Sequence, residues 1–246
     1  MKILILTVAG SSTRFSKSIG KDVLKCIYYE KSVTESLLYR MLHQPVDFDK
    51  YIIVGGYEFD LLKAGINQDY PELCNKIELV YNEHFADYGS GYSLYCGIKK
   101  ALNFDFDDIV FAEGDLFVDT ITFQEVANSK KNVVTTNDDP ILANKAVAFY
   151  IDRDKKIRYI YDTSHESLKI DEEFLGIFNS GQIWKFSDRN LVKVVYDSLE
   201  EVDWTGTNLV MVERYFRMLN EDEYESIRFK KWINCNTVDD FIKSQE

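Results

Sequence analysis

Cysteine is scarce and scattered. Cys26, Cys74, Cys96 and Cys235 are the only four in 246 residues, with no Cys-x-x-Cys pair and no Cys/His cluster. Nothing in this spacing suggests a zinc module, a dense disulfide scaffold is not implied, and reduced thiols in the cytoplasm are expected. Proline is scarcer, at three residues. With 46% hydrophobic residues, this argues for a compact fold and against disorder. No apolar run approaches the ~18 residues of a membrane span, so no membrane insertion is expected. Positive charge is also short: 29 Lys and Arg against 41 Asp and Glu give a net charge of −12. A general nucleic-acid binder needs a basic face, so nucleic acid is not an expected partner.

The basic residues that are present gather near the N-terminus. An apolar run from Ile3 to Ala9 leads into Gly10-Ser11-Ser12-Thr13, then Arg14-Phe15, Lys17, Lys21 and Lys25. The start superficially mimics a signal peptide, but the run is short and bases follow it where a small-residue cleavage site would stand. It reads as a buried strand feeding a small-residue loop. Such a loop lets backbone N–H groups approach an anion, with Arg and Lys supplying charge. A plain strand and polar turn without a ligand is the competing reading. No Gly-Lys-Ser/Thr follows, which disfavours a P-loop, and only Gly10 of the three dinucleotide-fingerprint glycines is present.

Strand and helix patterns then alternate. A short strand is expected at Cys26–Tyr29, and a helix opened by Ser32-Val33-Thr34-Glu35 and running through Leu42. Strands follow at 51–56, 77–81 and 108–113, with helices at Tyr57–Ala64 and Leu94–Leu102, the latter with Ser93 as a candidate N-cap. This alternation predicts a single α/β domain with a mostly parallel sheet flanked by helices. Ligands in such sheets collect beyond the carboxyl ends of the strands. That rule gathers residues 10–25, Gly55-Gly56, the stretch from Asn82 and Gly114-Asp115 on one rim. Asp115 is a turn residue or a ligand for magnesium, which takes oxygen donors and bridges to phosphates. Glu113 is expected on the opposite side of its strand unless the chain bends at Gly114. Asp119 is a secondary metal candidate.

Beyond residue 131 the pattern turns to strands at 133–136, 146–151 and 157–161, with Asp152-x-Asp154 in a hairpin turn. The apolar segment 174–184 contains Asn179-Ser180-Gly181, either a ligand contact or a turn. Helices are expected at 191–199 and 208–219, with a solvated loop at 200–204 between them. Thr237 is a good N-cap for a final helix.

Several of these stretches together resemble the nucleotidyltransferases that activate sugar phosphates and small alcohol phosphates. Val8-Ala9-Gly10-Ser11-Ser12-Thr13-Arg14-Phe15 with Lys25 matches their Ala-Gly-x-Gly-x-Arg…Pro-Lys signature, with Ser12 where many members carry Gly and Leu24 where Pro would stand. Asn82, Gly89, Gly91, Ser93 and Leu94 match the base-binding loop, Gly114-Asp115 the metal-binding pair, and Trp232…Thr237…Asp239-Asp240 the C-terminal end. Asn234 and Asn236 stand where the family has acidic metal ligands; an amide oxygen can coordinate magnesium, but without a charge.

The resemblance implies a sugar-nucleotide-transferase-like fold with an acceptor-side strand insertion, residues 1–130 forming a nucleotide-binding half and 131–246 an acceptor-binding half. It implies Ala9 to Thr13 around the nucleotide, Arg14 on the triphosphate, Lys25 on the α-phosphate and Mg2+ held by Asp115, Asn234 and Asn236. Tyr92, Asn179 and Trp184 are the implied acceptor contacts. The compact size and the Tyr92-Ser93-Leu94-Tyr95 loop look most like phosphocholine cytidylyltransferase-type enzymes, so CTP and a small phosphorylated acceptor are the expected partners of a monomer or homodimer. Tyr88, Tyr92, Trp184 and Trp204 could take a quaternary ammonium by cation–π contact. A sugar-1-phosphate nucleotidyltransferase and a non-catalytic nucleotide-binding relative stay open. The Arg14…Lys25 pair argues against a glycosyltransferase.

Overall fold

The computed structural model describes residues 1–143, 147–161 and 167–246. The strands are β1 (Lys2–Thr7), β2 (Lys50–Gly55), β3 (Ile77–Tyr81), β4 (Asp108–Glu113), β5 (Leu116–Val118), β6 (Asn132–Asn137), β7 (Ala148–Asp152), β8 (Ile157–Tyr159), β9 (Phe174–Phe186), β10 (Tyr224–Arg228) and β11 (Trp232–Asn234). The helices are α1 (Thr13–Ile19), α2 (Leu37–Leu42), α3 (Phe59–Asp69), α4 (Ser90–Ala101), α5 (Thr120–Asn128), α6 (Arg189–Asp197), α7 (Glu201–Thr205), α8 (Leu209–Arg217) and α9 (Val238–Gln245).

The main sheet runs β10-β6-β9-β4-β1-β2-β3, with the β7–β8 hairpin attached to β9. β4, β1, β2 and β3 are mutually parallel, whereas β9 runs antiparallel to both β4 and β6. The expected mostly parallel sheet is present, and β9 makes it mixed. β5 and β11 form a separate antiparallel ribbon.

Alternation within the strands explains the layering. Leu4, Leu6, Ile53, Val110 and Ala112 face a core closed by Leu38, Met41, Leu62, Ile66, Phe123 and Val126 of α2, α3 and α5. Ile3, Ile5, Ile52, Val54, Ile109 and Phe111 face the other core, closed by Leu94, Ile98, Val192, Val195, Val212 and Phe216 of α4, α6 and α8. Strands buried on both faces read as continuous apolar runs, as β1 and β2 do. Gly97 lets α4 lie close on the sheet: a Cβ there would meet Ile5 at 2.8 Å.

Local chemistry corrects several expectations. Cys26–Tyr29 is not a strand; Lys25–Ile27 form a 3-10 turn. The helix expected from Ser32 is interrupted: Ser32 caps a 3-10 turn at Val33–Glu35, and Ser36, extended, accepts the Tyr39 N–H to start α2 anew. Helix α3 continues to Asp69, past Ala64. Ser93 lies within α4, whose cap is Gly89. Residues 201–205 are helical, because Glu200 and Asp203 form a capping box. Of the strand expected at 146–151, residue 146 lies outside the described residues. The Asp152 turn is as read: its carboxylate accepts from the Asp154 and Lys156 N–H groups and from Arg158.

Trp184 is fully buried, stacks on Phe111 at 5.1 Å and donates its indole N–H to Tyr159 Oη at 2.6 Å. Its side chain belongs to the core beneath the sheet, not to an acceptor surface. Ser12, ahead of α1, has φ 54° and ψ 22°, left-handed backbone that costs a non-glycine residue about 1–2 kcal/mol. Its Oγ accepts the Lys25 N–H at 3.2 Å, which offsets part of that cost.

Two stability outcomes follow. Ser12→Ala keeps the strain and loses the hydrogen bond, so urea unfolding should show a loss of about 1 kcal/mol. Ser12→Gly loses the bond but relieves the strain, and should stay within about 0.5 kcal/mol of the parent; equal losses for both would refute the strain. Trp184→Ala should cost about 3–5 kcal/mol, and a loss under about 1 kcal/mol would show that the indole is not core.

Candidate active site

The parallel register places the carboxyl ends of β1, β2, β3 and β4 on one edge of the sheet. β6 is antiparallel to β9 and β9 to β4, so Asn137 at the end of β6 lies on the same edge, with Asn179 of β9 paired to it.

The loop from Val8 to Thr13 leaves β1 at this edge. A Cβ on Gly10 would meet nothing within 4 Å, so Gly10 borders open space. Ala9 is buried, and its carbonyl accepts the Tyr57 N–H at 3.1 Å, fixing the loop to the end of β2. Ser11 and Thr13 hydroxyls bond each other at 2.8 Å. Arg14, Lys17 and Lys21 are exposed. Among the described residues no carboxylate pairs with Arg14.

Lys25 reaches across from this loop to the end of β4. Its Nζ is 2.9 Å from Asp115 Oδ2, in a half-buried pair. The other carboxylate oxygen, Asp115 Oδ1, is buried and has no hydrogen-bond partner among the described residues. A buried anionic oxygen is costly unless a cation or donor meets it. The adjoining ribbon brings the two asparagines close: Asn234 pairs with Leu116, and the Cys235 N–H donates to the Asp115 carbonyl at 2.9 Å. Asn236 Nδ2 donates to Asn234 Oδ1 at 2.8 Å.

Among the described residues no group of three or more His, Cys, Asp or Glu could hold a metal by itself. The donors present, one carboxylate with a free oxygen and neighbouring amides, fit magnesium, which binds through one or two carboxylates and completes its shell with water and substrate phosphates.

Glu113 is a site neighbour that sequence reasoning set aside. It is the last residue of β4, and its carboxylate accepts from Asn208 Nδ2 at 2.7 Å. Burial, then the nearby Asp115 charge, push its carboxyl up to about 7. Asn208 sits just before α8, a partner no local pattern announces. Asp119, by contrast, is engaged elsewhere: it caps α5 through the Thr122 N–H and accepts from the Lys230 and Lys231 N–H groups.

The stretch expected to meet a base is internally satisfied. Asn82 is buried, donates to Ser93 Oγ at 2.9 Å and accepts the His84 N–H at 2.8 Å, so it ties the loop to α4. The Gly89 and Gly91 N–H groups donate to the Thr205 and Gly206 carbonyls. A Cβ on Gly89 would stand 2.2 Å from the Gly206 oxygen, so this glycine admits backbone from α7, not open space. Tyr92 packs among Tyr88, Tyr95 and Trp204. Asn179 donates to Asn137 Oδ1 at 3.0 Å and to the Asp139 carbonyl, leaving its own buried Oδ1 without a partner.

The architecture has counterparts. The structure of the inositol-1-phosphate CTP transferase from T. maritima superposes with a TM-score of 0.68 at 16% identity, covering 100% of this chain and 97% of that one. CTP:phosphocholine cytidylyltransferase (LicC) from Streptococcus pneumoniae gives 0.62 at 14% identity, covering 98% and 96%. HddC from Yersinia pseudotuberculosis, complexed with GMP-PN, gives 0.61 at 16% identity, covering 99% and 98%. At these identities the likeness establishes a shared fold: a single α/β domain with a mixed, mostly parallel sheet. No curated protein matches the chain. Residues 21–246 match the family described as "Domain of unknown function (DUF6564)", and the chain belongs to that family.

Proposed function

We propose that the protein is a magnesium-dependent nucleotidyltransferase that moves the nucleotidyl group of a nucleoside triphosphate, CTP in the favoured case, onto a small phosphorylated acceptor. The observation that carries this reading is the Lys25–Asp115 contact at the carboxyl edge, with Asp115 Oδ1 unpartnered beside an open glycine loop. Its support is the resemblance of the N-terminal signature and a fold shared with two CTP-using transferases. Phosphocholine, as for the Streptococcus pneumoniae enzyme, is the acceptor favoured by that resemblance; the role proposed with it is a cytoplasmic step that supplies an activated group for cell-surface polysaccharide or lipid decoration.

In this reaction an acceptor phosphate oxygen attacks the α-phosphorus. The bond from that phosphorus to the bridging oxygen of the β-phosphate breaks, and pyrophosphate leaves. The nucleophile is already anionic, so no strong general base is needed, and catalysis is alignment and charge neutralisation. Arg14, exposed and without a carboxylate partner among the described residues, holds the triphosphate tail and leaving group. Lys25 shifts from Asp115 toward the α-phosphate. Asp115, with Asn234 and Asn236 beside it, would hold magnesium, which would supply positive charge against the phosphates. Residues Ala9 to Thr13 line the phosphates. Asn179, whose buried Oδ1 has no partner among the described residues, is the contact proposed for the acceptor half.

A second reading has its own observation. Asn234 and Asn236 bond each other and carry no charge, as suits a relative that binds nucleotide without turning it over.

The deciding measurement is pyrophosphate release with magnesium, each of the four ribonucleoside triphosphates, and phosphocholine, phosphoethanolamine and sugar-1-phosphates as acceptors. Release requiring CTP and one small phosphate ester is the expected outcome. A sugar-1-phosphate as the sole productive acceptor would move the assignment to sugar activation, and nucleotide binding without release would favour the non-catalytic relative. Where release is seen, Arg14→Ala and Lys25→Ala should each lower kcat by roughly a hundredfold or more, with circular dichroism unchanged. Full activity in Lys25→Ala would remove that lysine from the site.

A further inference from the structure

Most sheet edges of this chain carry a guard. β10, at one end of the main sheet, reads Tyr-Glu-Ser-Ile-Arg, with Glu225 and Arg228 exposed. β3, at the other end, contains Glu78, which pairs with Lys50 and Lys100. β5, β8 and β11 are three residues each. Charge and shortness are common means of keeping an edge from pairing with another chain. The first part of β9 has neither.

β6 covers β9 only from Asn179 onward, while β7 lies along the other side of residues 174–179. At Asn137 the β6 chain turns away, its side chain accepting the Asp139 N–H. Phe174-Leu175-Gly176-Ile177-Phe178 is left with one edge unpaired among the described residues. It holds no charged residue and no proline. Phe174 is 43% exposed, Leu175 56% and Phe178 41%, and no other five-residue stretch among the described residues has even two exposed large apolar side chains. The rings lie on both faces of the strand: Phe178 stacks on Phe149 at 5.4 Å and Phe174 meets Tyr150 at 6.0 Å, and consecutive residues of β7 point to opposite faces. A small ligand lying on one face would cover one ring and leave the backbone edge open. Another strand covers the edge and reaches both faces.

We propose that residues 174–178 pair antiparallel with the same stretch of a second copy of this chain, forming a two-fold dimer through this edge. The open stretch has Gly176 at its middle, so a two-fold axis there pairs all of it with itself. β9 begins at Phe174 and β6 takes over at Asn179, so each copy's strand starts where the other copy's β6 stops. Charge permits this in a chain of net charge −12. The neighbouring acids, Asp171, Glu172 and Glu173, precede the stretch only, so an antiparallel arrangement sets the two acidic runs at opposite ends of the interface. Asp171 and Glu173 are also paired within the chain, to Lys169 at 3.1 Å and Arg153 at 2.7 Å. The same net charge sets the chain against an anionic membrane surface as the occupant.

Sedimentation velocity on the full chain, from about 1 to 100 µM, should show a species of twice the mass of one chain. Leu175→Lys places a charge on the edge and should raise the dissociation constant roughly tenfold or more, with circular dichroism unchanged. Val202→Lys, at an exposed residue of α7, should leave the dimer intact. Gly176 reports the axis directly: opposed Cα atoms of an antiparallel pair stand about 4.5–5.5 Å apart, within disulfide reach. In a Cys74→Ser background, which removes the exposed native thiol, Gly176→Cys should form a covalent dimer under mild oxidation and Val202→Cys should not. A parent chain monomeric at the highest concentration, a dimer undiminished in Leu175→Lys, or no cross-link through Gly176→Cys would each overturn the interface. A monomer that floats with phosphatidylcholine vesicles would give the stretch to a membrane and overturn it as well. No nucleotide enters these measurements, so their outcome is independent of whether the protein is a nucleotidyltransferase.

Discussion

The candidate active site depends on how closely β4 passes β1 as it ends. At Gly114 a Cβ would stand 2.2 Å from Val8 Cγ1 and 2.9 Å from the Thr7 carbonyl oxygen, so no larger residue can occupy the position without moving backbone. The Gly114 N–H donates to that Thr7 carbonyl at 3.0 Å, extending the pairing of the two strands by one bond. The next residue, Asp115, is thereby delivered to the loop that leaves β1, and Lys25 closes the gap at 2.9 Å. The ribbon then takes up Leu116 and secures Asp115 from behind through Cys235. The close approach that brings Asp115 to the β1 loop thus requires a glycine at position 114.

The same constraint explains what could be read from the sequence. β1, β2 and β4 are buried on both faces and therefore appear as unbroken apolar runs, legible without neighbours. The rim followed from their parallel order, since residues after each carboxyl end must share an edge. What could not be read was set by long-range contacts. Glu113 meets Asn208 across 95 residues, and Trp184 meets Tyr159 across 25. Nothing local distinguishes a tryptophan whose N–H faces a buried tyrosine from one facing a ligand. The helix at Glu201–Thr205 was hidden for a different reason: its capping box is built from acidic residues that on composition alone resemble a solvated loop.

Glycine makes the limit concrete. Gly10, Gly89 and Gly91 look alike in sequence, as small residues in polar loops that allow close approach. Around Gly10 the missing side chain leaves open space, whereas at Gly89 and Gly91 the space is filled by the carbonyls of residues 204–207. The first is a cradle; the other two are seams between α4 and the α7–α8 connection. Ser12 adds the complementary case. Its left-handed backbone supplies the physical reason for a glycine at that position in the resembled signature, and its hydroxyl, bonded to the Lys25 N–H, supplies the reason a serine is tolerated.

The distribution of charge at the rim separates two kinds of cation. Lys25 is matched by Asp115, and burial together with that neighbouring charge raises Glu113 toward a neutral carboxyl, so the interior edge is close to balance with one lysine and one aspartate. Arg14 stands outside this balance, exposed and without a carboxylate among the described residues, in a protein whose net charge is −12. An unmatched guanidinium next to an open glycine loop is where an incoming polyanion gains most and displaces least, because no existing ion pair has to be broken. Lys25 is the opposite: its ammonium already gives one of its three donors to Asp115, so an anion that engages it competes with that carboxylate for the lysine's charge. An anion drawn to Lys25 and a cation drawn to Asp115 are therefore coupled, and a site built this way favours the two arriving together.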